Sequence, residues 1–398
     1  MKNNLLIIGG GVVGLATGYN YLLAHPGHKV AVLEKEAAVA AHQTGRNSGV
    51  LHSGIYYRPG SFRAQMCARG KLALETFCEQ ENIPFDRCGK VIVAVSEDEL
   101  PGLQTIYERG QANGVRCEMI SQERLAEIEP HTAGIAAIHV PDSGIVDYAE
   151  VCRHFARLIE TMGGSVHLNT KATNIQERPD EVVVESNQGS FNAERLVTCG
   201  GLHSDRLADM AHSARDDIKI VPFRGEYYEL KPEVHHLCNG LIYPVPDTRF
   251  PFLGVHFTRM IQGGVECGPN AVLAFAREGY TWTDVNLGDL LESLGYVGFR
   301  RLAAKYWRKG FEEMWRSLNK AAFVKALQRL VPDITAEGLE WAPAGVRAQA
   351  LKDDGSLLDD FAFADTARTF HVLNAASPSA TSCLEVGRHV VAALDQRT

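Results

Sequence analysis

Three glycines and one acid near the N-terminus are spaced to hold a dinucleotide. Gly9, Gly11 and Gly14 fit G-x-G-x-x-G, and Glu34 stands about 20 residues further on. In such a fingerprint one glycine permits the tight turn, one lets the backbone approach a pyrophosphate, and one lets helix and strand pack closely. The helix N-terminus that follows offers free N–H groups and a positive dipole end to the phosphates. Glu34, with Lys35 beside it, closes the next strand, where a carboxylate accepts hydrogen bonds from ribose hydroxyls. A 2′-phosphate would be repelled there, which argues against NADP.

The flanking elements supply the context this motif requires. Leu5 to Ile8 is an apolar strand, a helical stretch runs past Gly18, and Lys29 to Leu33 is a second strand. The pattern predicts helices over Ser61 to Asn82, Leu100 to Asn113, Ser121 to Glu129 and Tyr148 to Met162. Strands are expected over Val91 to Val95, Ile135 to Val140, Ser165 to Asn169, Val182 to Glu185 and Leu196 to Cys199, the last running into Gly200. After residue 215 come longer, aromatic-rich strands: Ile218 to Leu230, Leu241 to Val245, Leu253 to Thr258 and Val265 to Phe275. These predict a mostly antiparallel sheet. Asp284 to Leu330 reads as helical, Phe370 to Ala375 as a last strand and Cys383 to Leu394 as a closing helix.

At 398 residues the chain is long for one core, so two domains are expected. A net charge of −8 argues against nucleic acid as a partner. Nine scattered cysteines, none in C-x-x-C, read as reduced thiols of the cytosol. No apolar run reaches membrane-spanning length. The nucleotide motif begins almost at once, which leaves no room for a signal or transit peptide.

The segment His42-Gln43-Thr44-Gly45-Arg46-Asn47-Ser48-Gly49-Val50-Leu51-His52-Ser53-Gly54-Ile55-Tyr56-Tyr57 resembles the flavin-entry loop of L-2-hydroxyglutarate dehydrogenases. These are FAD enzymes of the D-amino-acid-oxidase-like superfamily. The resemblance continues through Pro222 to Tyr228, Leu241 to Asp247, Pro251 to Met260, Gly268 to Phe275, Ala344 to Gln349 and Asn374 to Ser382. It departs at Arg46, where relatives often have His, and at Ala376, where they often have Pro. It implies an α/β (α+β) fold, with a Rossmann-like FAD-binding domain and a substrate domain on a mostly antiparallel sheet. The FAD-binding domain is expected over residues 1–85, 145–215 and 335–398, and the substrate or cap domain over 86–144 and 216–334.

The resemblance also implies roles. Thr44, Asn47 and Ser48 would donate hydrogen bonds to phosphate oxygens and the flavin edge, and Gly49 would let backbone approach the ring. Ser379, Ala380 and Thr381 would turn backbone N–H groups toward the flavin edge where negative charge builds; plain N-capping by Ser379 or Ser382 is the alternative. Ala172 would meet adenine through its backbone, and Gly200 would line the cofactor site. The FAD is expected to be non-covalent, since no attachment motif is present, although His42 and His52 lie near the loop.

A 2-hydroxy dicarboxylate needs two cationic anchors and a proton acceptor. Arg347 is the expected anchor for the C1 carboxylate, with Arg224 and Arg259 as candidates for the distal one. His256 and His52 are candidate bases, His371 a more distant third, and Tyr57, Tyr227 and Tyr243 candidate donors or pocket walls. Each Arg has an ion-pair alternative, and each His a satisfied-core alternative. The implied reaction presents C2–H to flavin N5 while a base takes the hydroxyl proton, yielding 2-oxoglutarate. Electrons would pass to a membrane quinone pool or oxygen. The alternatives are a related flavoenzyme acting on an amino acid or glycerol 3-phosphate, and a non-catalytic dinucleotide-binding protein.

One stretch is basic in an acidic chain. Phe299 to Leu330 holds nine Lys and Arg against Glu312 and Glu313, interleaved with Tyr306, Trp307, Phe311, Trp315 and Phe323. Phe311, Met314, Trp315 and Leu318 share one helical face. Such a helix suits an anionic membrane surface, or else it packs its apolar face on the core. The expectation is a basic amphipathic region over 296–331 and a cytoplasmic enzyme peripheral on the inner membrane face.

Overall fold

The structure, a computed structural model, describes residues 2–247 and 253–397. Pro251 and Phe252 of the resembling block therefore lie outside the described residues.

Buried apolar strands from three distant parts of the chain build one sheet. Asn3–Ile8 pairs in parallel with Val30–Leu33 on one side and Gly189–Thr198 on the other. Thr369–Asn374 joins Gly189–Thr198 in parallel, and Ser165–His167 adds to Val30–Leu33. The hairpin Ala172–Glu177 and Val182–Ser186 extends the far edge. Helices Val12–Ala24, Tyr148–Thr161 and Cys383–Asp395 cover one face, with Leu15, Phe155 and Val390 in a common core.

A second sheet has nine strands and is antiparallel apart from Leu241–Pro244 alongside Lys90–Ala94. Its long spine is Lys219–Leu230 against Leu339–Leu351, with Phe223 opposite Arg347. His256–Arg259 pairs with Leu241–Pro244 and Val265–Gly268.

Three expectations need correcting, and a fourth, the helical stretch, gains detail. Residues 339–351 were expected in the nucleotide unit but form the longest strand of the second sheet. The run Leu-Glu-Trp-Ala-Pro-Ala-Gly-Val-Arg hides this, because Ala, Pro and Gly are poor strand formers. The strand expected over Val265 to Phe275 is two short ones, Val265–Gly268 and Val272–Leu273, separated at Pro269, which has no N–H to donate. The strand expected from Leu253 begins only at His256. Asp284 to Leu330 resolves into three helices, Leu287–Gly295, Val297–Leu318 and Lys320–Leu327.

Among the described residues no helix is long and apolar enough to cross a membrane. All nine cysteines are free thiols.

Candidate active site

A cleft of about 580 Å³ opens along the first sheet, lined by Gly9, Gly11, Glu34, Thr44, Ala172, Gly200 and Ser379 among others. The glycines divide the work. A Cβ on Gly9 would meet the Cys199 carbonyl oxygen at 2.3 Å, and one on Gly14 the Gly9 carbonyl oxygen at 2.0 Å. Those two glycines serve the fold. A Cβ on Gly11 would approach only Thr44 Oγ1, at 3.3 Å, so the space before this helix stays open for a ligand. The helix has no acidic residue in its first turn and no side-chain cap at Gly11, leaving its positive end to an anion. Glu34 is buried and held by two backbone N–H groups, Gly10 at 2.8 Å and Glu36 at 2.9 Å. Each carboxylate oxygen keeps a lone pair for a ribose hydroxyl. These features fit the ADP half of FAD.

Lys35 lies in a cluster at the cleft mouth with Glu36, Glu278 and His42. Both His42 ring nitrogens are engaged there, Nδ1 with the Tyr280 hydroxyl at 2.7 Å. Arg46 stacks on Tyr280, 4.0 Å from the ring centroid.

The loop after Glu34 differs from expectation in detail. The Thr44 hydroxyl oxygen accepts from Val12 N–H at 3.2 Å, which ties the loop to the phosphate helix. The Asn47 amide does not face a ligand: it donates to the Gln43 and Thr44 carbonyls and accepts from Gly49 N–H. Asn47 shapes the loop. Gly49 has φ +67°, and a Cβ there would meet the Val146 carbonyl oxygen at 2.7 Å, so backbone packing requires this glycine. Ser48 sits half-buried beside them. The Thr381 hydroxyl is likewise committed, to Val50 O, His52 N–H and the Tyr148 hydroxyl. Ser382 does not cap its helix; its hydroxyl donates to Pro378 O. Ala380 lies next to them in the same turn.

A second group of side chains gathers where this loop, the 377–382 turn and the second sheet meet. His256 is buried, stacked on Tyr243 with centroids 4.0 Å apart. Its Nδ1 lies 3.0 Å from Gly254 O, a group that only accepts, so Nδ1 carries the proton and Nε2 a lone pair. Burial, then the Arg347 and Lys90 charges, hold its pKa down to about 3. His52 is also held well below the usual range, by burial and then by Lys90, His256 and Arg63. Both imidazoles are therefore neutral. Arg347 hydrogen-bonds Tyr227, whose hydroxyl burial pushes up to about 12. Tyr243 bonds Thr258, and Tyr57 bonds Ser377 and Arg63. A Cβ on Gly345 would meet the Arg46 carbonyl oxygen at 2.5 Å, so this glycine lets the 42–49 loop abut the Arg347 strand.

The structure does not bring Arg224 or Arg259 into this group. Arg224 is fully buried against Glu226 at 2.9 Å and Trp282 at 4.4 Å, with a further bond to Thr281 O. Arg259 points outward, half-exposed, and pairs with Asp86 at 3.0 Å. His371 sits in the first sheet, its Nδ1 2.8 Å from Thr198 Oγ1. Sequence reasoning missed Lys90, Tyr56 and Arg63. Lys90 immediately precedes an unbroken apolar run, where a lysine reads as the polar start of a strand, so the sequence carried no signal of its burial.

A cleft that fits the ADP half of FAD on a Rossmann-like sheet, joined to a largely antiparallel second sheet, is the architecture of an FAD-dependent oxidoreductase. Residues 4–393 match the family of FAD dependent oxidoreductases termed DAO, and the chain belongs to that family. It is 50% identical to the L-2-hydroxyglutarate dehydrogenase of Indibacter alkaliphilus, covering 97% of each chain. It is 45% identical to that of Escherichia coli strain K12, over 98% of this chain and 92% of the relative. The mitochondrial enzyme of that name from Homo sapiens is 43% identical, over 99% and 89%. Among solved structures, L-alpha-glycerophosphate oxidase from Mycoplasma pneumoniae with FAD bound superimposes with TM-score 0.80 at 24% identity, over 99% and 95%. Glycine oxidase from Geobacillus kaustophilus gives 0.74 at 18%, over 100% and 95%.

Proposed function

We propose that the protein oxidises L-2-hydroxyglutarate to 2-oxoglutarate and passes the electrons to a membrane quinone. The carrying observation is the buried group in which Arg347, Tyr227, Tyr243 and neutral His256 meet beside the cofactor loop. The relatives at 43–50% identity, named for this substrate, support the choice. FAD, bound without a covalent link, supplies the two-electron acceptor. Arg347 holds the C1 carboxylate through its planar fork, and Tyr227, bonded to it, fixes the fork's direction. His256 takes the C2 hydroxyl proton on Nε2; the Gly254 carbonyl keeps the ring in that tautomer. His52, within the electrostatic reach of His256 and Lys90, and Tyr57, bonded to Ser377 and Arg63, help to exclude water. The test is anaerobic bleaching of the flavin. L-2-Hydroxyglutarate should bleach it, while the D-enantiomer, an L-amino acid and glycerol 3-phosphate should not. Bleaching by one of the last two instead would replace the substrate.

The membrane reading rests on a helix inverted in its second half, while Leu302 and Phe299 of its first half pack on the core. Val297–Leu318 turns Glu313 and Ser317 inward, where Glu313 accepts from Ala271 N–H and Ser317 bonds Glu226. Trp307, Phe311, Trp315 and Leu318 face outward and are 56–66% exposed. Leu287, Leu291 and Leu294 of the preceding helix are exposed as well. Packing of this apolar face on the core, the alternative reading of the sequence, is therefore not what the chain does. An outward aromatic face flanked by Arg300, Lys305 and Arg308 suits an anionic lipid interface, on the inner side of the cell membrane.

A further inference from the structure

We propose that Lys90 and Tyr56 form the seat for the substrate's distal carboxylate, making the pocket selective for a 2-hydroxy diacid over a monoacid. The proposal deepens the substrate reading above and rests on it.

Lys90 heads the strand Lys90–Ala94 and is 2% exposed. An ammonium in such a place is costly unless paired. The other fully buried cations among the described residues have carboxylates: Arg224 has Glu226 and Arg277 has Asp205. Lys90 has two aromatic rings instead, with Nζ 4.0 Å from the Tyr243 centroid and 5.7 Å from that of Tyr56. Among the described residues no carboxylate and no hydrogen-bond acceptor reaches it. A cation–π contact offsets only part of the desolvation. The Tyr56 hydroxyl is a second orphan, buried without a partner. One buried cation and one buried donor that lack an anion, brought together around the Tyr243 ring, have the chemistry of a carboxylate site.

The position suits a diacid. Strand order runs from Leu339–Leu351 (Arg347) through Lys219–Leu230 (Tyr227), Val265–Gly268 and His256–Arg259 to Leu241–Pro244 (Tyr243) and Lys90–Ala94. The His256–Tyr243 stack thus lies between Arg347 and Lys90, and both charges act on His256. A substrate with one carboxylate on Arg347 and its hydroxyl at His256 directs its far end toward Lys90. Arg224 and Arg259, spent on Glu226 and Asp86, leave this seat to Lys90.

The experiment compares L-2-hydroxyglutarate with L-2-hydroxypentanoate, which has the same carbon count without the distal carboxylate, in wild type and Lys90→Met. The diacid-over-monoacid ratio of kcat/KM should fall by at least about 30-fold, the lower end of what removing one partner of a buried charge pair costs. The loss should appear in KM for the diacid, with the melting temperature unchanged or higher, and Lys90→Arg should restore part of it. An unchanged ratio, or a parallel loss on both substrates with a lower melting temperature, would overturn the proposal. Glutarate titration, read through the flavin absorbance, separates the two readings. Glutarate binding that needs Lys90, in a wild type that L-2-hydroxyglutarate does not bleach, keeps the seat and discards the substrate. Bleaching with glutarate affinity unchanged in Lys90→Met keeps the substrate and discards the seat.

Discussion

The His256 imidazole lies on the Tyr243 ring with its plane 28° from parallel and its Nδ1 tied to Gly254 O. Ring stacking and one hydrogen bond together fix both the orientation and the tautomer, so Nε2 is the basic atom. If His256 is the base, His256→Asn should slow anaerobic flavin reduction by roughly 10²–10⁴-fold while FAD content stays full. Tyr243→Phe keeps the stack and should cost far less than Tyr243→Leu. Stopped-flow reduction rates check this. A slow His52→Asn beside a fast His256→Asn would move the role to His52.

The pH profile should follow Lys90. Burial lowers its pKa from 10.5 to about 8, so the charge is present below that pH and lost above it. The groups facing it do not titrate nearby: burial pushes Cys67 up to about 12 and Cys88 up to about 11, and raises Tyr56 and Tyr243. His52 and His256 lie well below. Thus kcat/KM for the diacid should decline above pH about 8, with no acid limb from His256 down to pH about 4. Between about 8 and 10.5 the unfolded chain binds the lysine proton and the folded chain does not, so Lys90's part in stability improves as pH rises. Lys90→Met should abolish the alkaline decline.

The glycines should separate fold from cofactor. Gly14→Ala drives a Cβ against the Gly9 carbonyl oxygen at 2.0 Å and should cost soluble yield. Gly11→Val meets no backbone and should leave a folded, colourless protein. Far-UV circular dichroism and the flavin-to-protein absorbance ratio distinguish these. A yellow Gly11→Val variant would misplace the pyrophosphate.

The nucleotide fold was legible because its constraints are local. Gly9, Gly11, Gly14 and Glu34 sit within one strand–helix–strand unit whose spacing is readable in the chain, and Gly14 answers to Gly9 inside it, whereas the contacts of Gly9 with Cys199 and of Gly11 with Thr44 appear only in the fold. The substrate side was legible only in part. Arg224, Arg259 and Arg347 look alike in sequence, and partners decide between them: Asp86 is remote from Arg259 in the chain, and Glu226 stands two residues from Arg224 but on a strand whose facing was not readable. Lys90 reads as the polar start of a strand until the sheet places two tyrosines over it. Asn47 and Thr381 carry the right donors but spend them on backbone, which a residue type alone does not reveal.

Two arginines should therefore behave oppositely. Arg224→Met leaves Glu226 buried without its cation, a loss of about 3–5 kcal/mol of stability. It should lower the melting temperature and spare KM in the protein that remains folded. Arg347→Lys keeps charge without the fork and should raise KM for L-2-hydroxyglutarate steeply at near-normal stability. Thermal melts and kinetics on the same preparations check both. A normal KM for Arg347→Lys would remove it as the C1 anchor.

If the inverted helix docks on lipid, its outward side chains are dispensable for the fold. Trp307, Phe311 and Trp315 face solvent, whereas Arg316 pairs with Glu313 at 2.5 Å and Glu313 pins the helix to Ala271. The useful variant therefore spares Arg316: Trp307→Ser, Phe311→Ser and Trp315→Ser combined with Lys305→Glu and Arg308→Glu. Each basic residue at an anionic surface contributes roughly 1 kcal/mol, and the attraction fades with salt beyond ~8–10 Å at 0.1–0.15 M. Wild type should sediment with vesicles containing anionic lipid at low salt and less at high salt, and the variant should stay in the supernatant. Activity with a soluble dye acceptor should persist in the variant, because Lys90, His256 and Arg347 are elsewhere, while quinone-linked activity in membranes should fall. Equal sedimentation of variant and wild type would show that the exposed aromatic face serves something other than lipid.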